Sequence, residues 1–135
     1  SRAQLVREVI QPALARGRVV LADRFSDSTT VYQGVGRLLD PLTVAAINQF
    51  AIGACVPDLT LLIDLDPAVG MERARGRELF DRMESQSREF YQRVRQGYLE
   101  LAAREPHRVK VVDGSQPSEA VAAAIWGHVS RLLGG

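Results

Sequence analysis

Residues 57–67 read PDLTLLIDLDP. The apolar run from Leu59 to Leu65 is closed by proline on both sides and ends in Asp64-Leu65-Asp66. It is too short for a helix and lacks the alternation of a half-exposed strand. It has the form of a strand covered on both faces, as in a parallel sheet. Asp66-Pro67 then supplies a helix cap followed by proline at the first helical position, so a helix through Arg73 starts directly at the strand's end. Strand, capped turn and helix form the repeating unit of sheets with helices on both faces.

The same unit recurs on either side. Upstream, Val19-Val20-Leu21-Ala22 is a second short apolar run, and it ends in Asp23-Arg24. Downstream, 109–112 is a third, ending in Asp113-Gly114. Helical spacing fills the intervals. Leu5, Val6, Val9, Ile10, Ala13 and Leu14 mark a helix over 2–15, stopped at Gly17. Ser26 or Asp27 is placed to cap a helix carrying Tyr32 and Gln33, which Gly34-Val35-Gly36 closes. Asp40-Pro41 opens a helix to about Ala54. Phe90, Val94, Tyr98 and Leu101 mark one over 85–104, and Val121, Ala124, Ile125, Val129 and Leu132 one over 117–133, with Trp126 expected in the core. The fold class is α/β, a parallel sheet with helices on both faces. Ligands of such sheets bind beyond the C-terminal ends of the strands. Asp23-Arg24, Asp64-Leu65-Asp66 and Asp113-Gly114 occupy those ends and point to a nucleotide or phosphate site.

Composition narrows the partners. A length of 135 residues suits one domain, and 24% charged residues interspersed with 46% hydrophobic ones argue against disorder. No apolar run is long enough to cross a bilayer as a helix. The lone Cys55, read as a small core residue, excludes a disulfide framework and any multi-cysteine metal site. A formal net charge of +1 gives no global attraction to nucleic acid. The expectation is a cytoplasmic protein acting on a small molecule, with neither membrane nor nucleic acid as partner. Of the 17 basic residues only Lys110 is a lysine. The chain starts Ser-Arg-Ala-Gln and reads straight into a helix, as if cut from something longer.

The densest chemistry lies in DRFSDSTTVYQG, residues 23–34. An arginine fork suits a phosphate because it binds two oxygens at once. An aspartate beside it suits a hydrated magnesium ion. Ser28 with Tyr32 and Thr29 with Gln33 are i, i+4 pairs, a hydroxyl, a phenol and an amide equipped to read a sugar and a base edge. The plainer alternative is a surface ion pair at Asp23-Arg24 followed by an ordinary helix start. A second cluster holds Arg73, Arg75, Arg77, Arg82, Arg88, Arg93 and Arg95 among acidic residues. Arg88, Arg93 and Arg95 read as a solvated helix face. From Arg75 to Arg82, Gly76 breaks the helix and the pattern fits a lid over phosphates. Gly34 and Gly36 make a turn, not a dinucleotide fingerprint, and no GxxxxGK[ST] string exists in these residues. His107 and His128 read as surface residues.

In combination, SRAQLVREVIQPALARGRVVLADRF, the SxxxYQG that follows, PDLTLLIDLDPAVGMERARGR, DRMES and REFYQRVRQGYLELA resemble the bacterial thymidylate kinases of the P-loop nucleoside-monophosphate kinase group. The resemblance runs through nearly all of the chain. It implies an incomplete three-layer kinase sheet, the C-terminal two-thirds of a single domain with a lid at about 75–84. The family's P-loop and first two strands lie outside these 135 residues. It implies phosphoryl transfer from ATP to dTMP with Mg²⁺, in a homodimer joined through helices that include 2–15. Arg24 would bind the 5′-phosphate of dTMP, and Asp23 would serve the magnesium shell indirectly. Arg2 would hydrogen-bond the thymine carbonyl, Thr29 and Gln33 would read the base edge, Tyr32 would border the sugar, and Ser28 would belong to the same dTMP-binding set. Arg75, Arg77 and Arg82 would neutralise the transferring phosphoryl group. Phe25 replaces the family's usual Tyr or His, Thr29 its Ser, and Val35 a glycine. The family's sheet order, 2-3-1-4-5, sets an absent strand between 19–22 and 59–65. An unfilled gap there implies an unstable chain or direct pairing of the strands that flank it. Alternatives are a non-catalytic truncated relic or nucleotide-binding module, and a sibling kinase with another pyrimidine substrate.

Overall fold

A computed structural model describes residues 2–36, 40–75 and 87–134. They form two compact units, 1–56 and 57–135, taken here in turn.

In the first unit, helix α1 spans residues 2–15, with α-helical segments Arg2–Leu5 and Gln11–Ala15 on either side of a wider π-helical turn, Val6–Ile10. Pro12 accounts for the widening. Inside a helix its ring crowds the carbonyl four residues back, and a wider turn there relieves the clash. Gly17, at φ +75°, donates its N–H to Leu14 O at 2.9 Å and ends the helix in the left-handed conformation that glycine adopts most easily. Helix α2 covers residues 26–36, α-helical over Ser26–Thr29 and π-helical over Thr30–Gly36. Phe25 stands at its N-terminal boundary with no side-chain cap, so neither Ser26 nor Asp27 caps it as expected. Helix α3, Pro41–Ile52, does carry the cap its Asp-Pro start calls for. Asp40 Oδ1 accepts from Leu42 N at 3.3 Å and Oδ2 from Thr43 Oγ1 at 2.8 Å. Val6, Ile10 and Ile52 form the buried core, with Val20, Phe25, Ala51 and Cys55 packed against it.

Residues 19–22 depart from expectation. They run extended but belong to no sheet among the described residues, with Val19 72% and Leu21 93% exposed. A strand is defined by the ladder bonds it exchanges with a neighbour. This segment has the composition of a covered strand but no described neighbour to cover it.

In the second unit, strands β1, Thr60–Asp64, and β2, Val109–Asp113, run parallel in a register from Thr60 opposite Val109 to Asp64 opposite Asp113. The adjacency matches the sheet order that the family resemblance implies. Between them lie helix α4, Pro67–Ala74, and helix α5, Arg88–Arg104. Asp66 Oδ1 caps α4 by accepting from Ala68 N at 2.8 Å, and Ser87 Oγ caps α5 by accepting from Phe90 N at 3.0 Å. Phe90, Val94 and Leu101 are buried on one stripe of α5, and α5 packs on both strands. Helix α6, Ser118–Leu132, packs on β2. Its half-buried row is Val121, Ile125 and Val129. Trp126 follows that row by one residue, about 100° around the helix, and is 63% exposed rather than in the core.

The ladder continues one step past the strands, where Gly114 N donates to Asp64 O at 2.7 Å. A Cβ on Gly114 would lie 2.8 Å from Asp64 O and 2.9 Å from Ile63 Cγ2. The backbone oxygen has nowhere to move without breaking that bond. Gly114→Ala is therefore expected to cost about 1–3 kcal/mol of stability, read by denaturant unfolding. A substitution within experimental error of wild type would show that the approach is looser than described.

Candidate functional site

Two of the three strand-end groups are in the second unit, and their carboxylates are already matched. Arg95 grips Asp64 with a bidentate fork, Nε to Oδ1 at 2.9 Å and Nη2 to Oδ2 at 3.1 Å, and reaches Asp66 Oδ2 through Nη1 at 3.4 Å. The hydrogen bond to Asp64, then the charges of both aspartates, hold the Arg95 guanidinium still more firmly protonated than usual against the opposing effect of burial. Arg95 is thus no solvated helix residue, as its position among charged neighbours suggests. Arg73 likewise leaves its own helix, donating to Gly114 O at 2.7 Å and Ser115 O at 3.2 Å. Asp113 accepts from Ser115 Oγ at 2.6 Å, Ser115 N at 2.9 Å and Gln116 Nε2 at 3.2 Å. These bonds hold its carboxyl below the ordinary 3.8. Both ends of α4 are pinned, its start through Asp66 and its last turn through Arg73.

The third strand-end group, in the first unit, is organised differently. Asp23 and Arg24 make no ion pair with each other among the described residues, which removes the plain surface-pair alternative. Arg24 has φ +66°, and it is the one described residue other than glycine on the left-handed side. For a side chain with a Cβ this costs about 1–2 kcal/mol. Such strain persists where surrounding structure imposes it, and it marks functional sites. Its effect here is to turn the guanidinium over the Tyr32 ring, 4.6 Å from the centroid. A ring below the plane leaves the N–H edge of the fork for an oxyanion. Arg2 makes a parallel arrangement, its guanidinium 5.2 Å from the Phe25 centroid and its Nη1 donating to Thr29 Oγ1. Phe25, which differs from the residue usual in the family it resembles, is thus the surface on which Arg2 rests.

The structure therefore brings Arg2 together with Thr29, and Arg24 with Tyr32. Ser28 is half-buried on the same helix. The π-helical turn over Thr30–Gly36 means that residues five apart, not four, face one another there, so the expected i, i+4 pairs are offset. The side chain of Gln33 lies outside what the structure describes, as do residues 76–86 with Arg77, Arg82 and most of the expected lid. Arg75 is exposed and paired with Glu72 at 3.3 Å, a surface contact that holds it weakly. Among the described residues no group of three or more His, Cys, Asp and Glu is placed to hold a metal ion.

One residue with no role in the sequence reading supports this site. Asn48, buried on α3, donates through Nδ2 to Ser26 O at 3.1 Å and to Thr30 Oγ1, while Thr30 Oγ1 donates to Ser26 O at 3.1 Å. With no capping side chain on α2, Asn48 is what ties its first turn to the core. The available signal was a lone amide within the buried row Val44, Asn48, Ile52.

A family profile described as thymidylate kinase matches residues 1–125. The chain belongs to the thymidylate kinase family. It is 51% identical to the thymidylate kinase of Solidesulfovibrio magneticus over 98% of its own length and 66% of that protein's. With the thymidylate kinase of Deinococcus radiodurans it shares 49% identity over 97% of this chain and 64% of the relative. The chain thus spans somewhat under two thirds of these relatives. Its fold is similar to the crystal structure of thymidylate kinase from Ehrlichia chaffeensis, with a TM-score of 0.66 and 30% identity, covering 92% of this chain and 56% of that one. The parallel α/β arrangement is therefore the thymidylate kinase fold.

Two expectations follow for this chain. Because the left-handed turn penalises a Cβ, Arg24→Gly should be more stable than Arg24→Ala by about 1 kcal/mol; equal thermal stabilities would mean that the turn is unstrained. Asp113 has a folded value below its unfolded one, so its stabilisation is complete above about pH 4 and fades as pH falls through the folded value. Asp113→Asn should flatten the acid limb of the stability profile below about pH 4; an unchanged limb would contradict the assignment.

Proposed function

We propose that the complete protein is a dTMP kinase, transferring the γ-phosphoryl group of ATP to the 5′-phosphate of dTMP to give ADP and dTDP. The observation that carries this reading is about 50% identity to proteins named thymidylate kinase, continuous through the stretch that holds Arg2, Asp23, Arg24, Ser28, Thr29, Tyr32 and Gln33. A phosphate oxygen of dTMP attacks the γ-phosphorus, and the bond from that phosphorus to the β-phosphate's bridging oxygen breaks. The protein's work is positioning and charge neutralisation.

In this reading each residue has a role. Arg24, held flat on Tyr32, presents its fork to the dTMP 5′-phosphate, and Tyr32 borders the sugar. Arg2 and Thr29, already joined, meet the base edge together with Gln33, and Ser28 lies along the same helix. Arg75, with Arg77 and Arg82, neutralises charge on the transferring group as part of a lid over about 75–84. Mg²⁺ would supply further neutralisation. The one carboxylate at this site, Asp23, is exposed and unpaired among the described residues, which fits a metal held mainly by nucleotide phosphates and reached through water. In this reading residues 1–135 form the C-terminal part of a single kinase domain of a cytoplasmic homodimer whose contacts include α1. That helix exposes Leu5, Val9 and Leu14. No described helix is long and apolar enough to cross a membrane.

Arg24→Lys keeps the charge but loses the fork. In the complete enzyme it should lower kcat by about 10²–10³-fold with an unchanged circular dichroism spectrum. Wild-type turnover in this variant would remove Arg24 from the phosphate.

A further inference from the structure

At the edge of the second unit opposite Asp64 and Asp113 lies a cleft of about 290 Å³. Asp58 and Leu59, just before β1, form one side. His107 from the loop before β2 and Lys110 from β2 itself form the floor, and His128 and Arg131 from the last turns of α6 close it. The chain has 16 arginines but one lysine and two histidines, and that lysine and both histidines line this one cleft. Four side chains able to carry positive charge thus converge from three elements against a single carboxylate.

Neither Lys110 nor Arg131 is matched by a carboxylate at ion-pair distance among the described residues. Lys110 Nζ donates to the backbone oxygen of Pro106 at 2.6 Å, and Arg131 Nη2 lies 3.1 Å from His128 Nδ1. Arginine has no acceptor, so in this contact His128 Nδ1 accepts and its Nε2 carries the hydrogen as a further donor. Elsewhere in this unit Arg95 is neutralised by Asp64 and Asp66, and Arg108 by Glu105 at 2.9 Å. What singles the cleft out is the convergence in it of the one lysine, both histidines and Arg131.

We infer that this cleft binds a phosphate group, free or esterified to a metabolite small enough for its volume, at a site separate from the strand-end residues used in phosphoryl transfer. The Lys110 ammonium and the Arg131 fork supply charge and directed donors. The histidines add donors, and the Asp58 carboxylate accepts from a sugar hydroxyl where the ligand is an ester. Such a site lets a phosphorylated metabolite bind the enzyme without competing for either nucleotide.

The test follows the His107 and His128 imidazole signals by NMR in the complete protein, titrated with inorganic phosphate, ribose 5-phosphate and, as an ionic-strength control, sodium chloride. Saturable shifts with phosphate but not chloride are expected, weakened about tenfold or more in the Lys110→Gln/Arg131→Gln variant. Equal affinity for the two phosphates identifies the free ion as ligand, and tighter ribose 5-phosphate binding identifies an ester. Shifts that fail to saturate, that chloride reproduces, or that persist unchanged in the double variant overturn the proposal. Neither substituted residue belongs to the proposed catalytic set, so dTMP phosphorylation by the double variant should equal wild type. Loss of the phosphate site with kinase activity intact therefore separates this inference from the kinase reading.

Discussion

A parallel ladder in perfect register sets Asp64 directly beside Asp113 at the same edge of the sheet, and much of the second unit follows from accommodating that pair. Two neighbouring carboxylates repel unless each is given its own partner. Asp64 receives a guanidinium fork from Arg95, which also reaches Asp66, while Asp113 is satisfied by its own turn through Ser115 and Gln116. Because Asp66 is also the cap of α4, the contact that neutralises the strand end also fixes where that helix begins. Arg73 returns from the last turn of the helix to the carbonyls following β2. Helix α4 is thereby fastened at both ends to the two strand termini.

The first unit solves a different problem. Its strand-like segment ends at Arg24, and instead of forming an ion pair with Asp23 the chain turns through a left-handed residue that sends the guanidinium over Tyr32. Arg2 rests on Phe25 in the same manner. Stacking a guanidinium on a ring fixes its plane without using its donors. Both forks are thus oriented; Arg2 already spends one donor on Thr29 Oγ1, while Arg24 makes no ion pair among the described residues. Under the proposed phosphoryl transfer, whose catalysis would be chiefly positioning, that arrangement is more useful than two strong ion pairs.

Much of this was legible in the residues. The proline-bracketed run 57–67 determined β1, its aspartate cap and α4, and among the residues grouped in the sequence the structure joins Arg2 to Thr29 and Arg24 to Tyr32. What was not legible has three physical sources. Residues 19–22 have the composition of a covered strand, but composition records the environment a segment is built for and not whether a neighbour is present to pair with it. Arg73 and Arg95 sit in a run of alternating charge, where local pairs explain everything that sequence spacing can see. Their partners are about 30 to 40 positions away, and only the fold brings them close. Trp126 shows the limit of a helical stripe, since a one-residue error in placing its centre moves a side chain from half-buried to exposed. Of the site itself, Asn48 was hidden because a single buried amide in an apolar row looks like a packing defect until the uncapped turn it serves is known.

The most direct measurement is a crystal structure of the protein with dTMP bound. The Arg24 fork should contact two oxygens of the 5′-phosphate while still lying on Tyr32 with its left-handed backbone, and the thymine edge should meet Arg2 and Thr29. A nucleotide bound elsewhere, or an Arg24 that has left Tyr32 and relaxed to negative φ, would contradict the account of how this site is built.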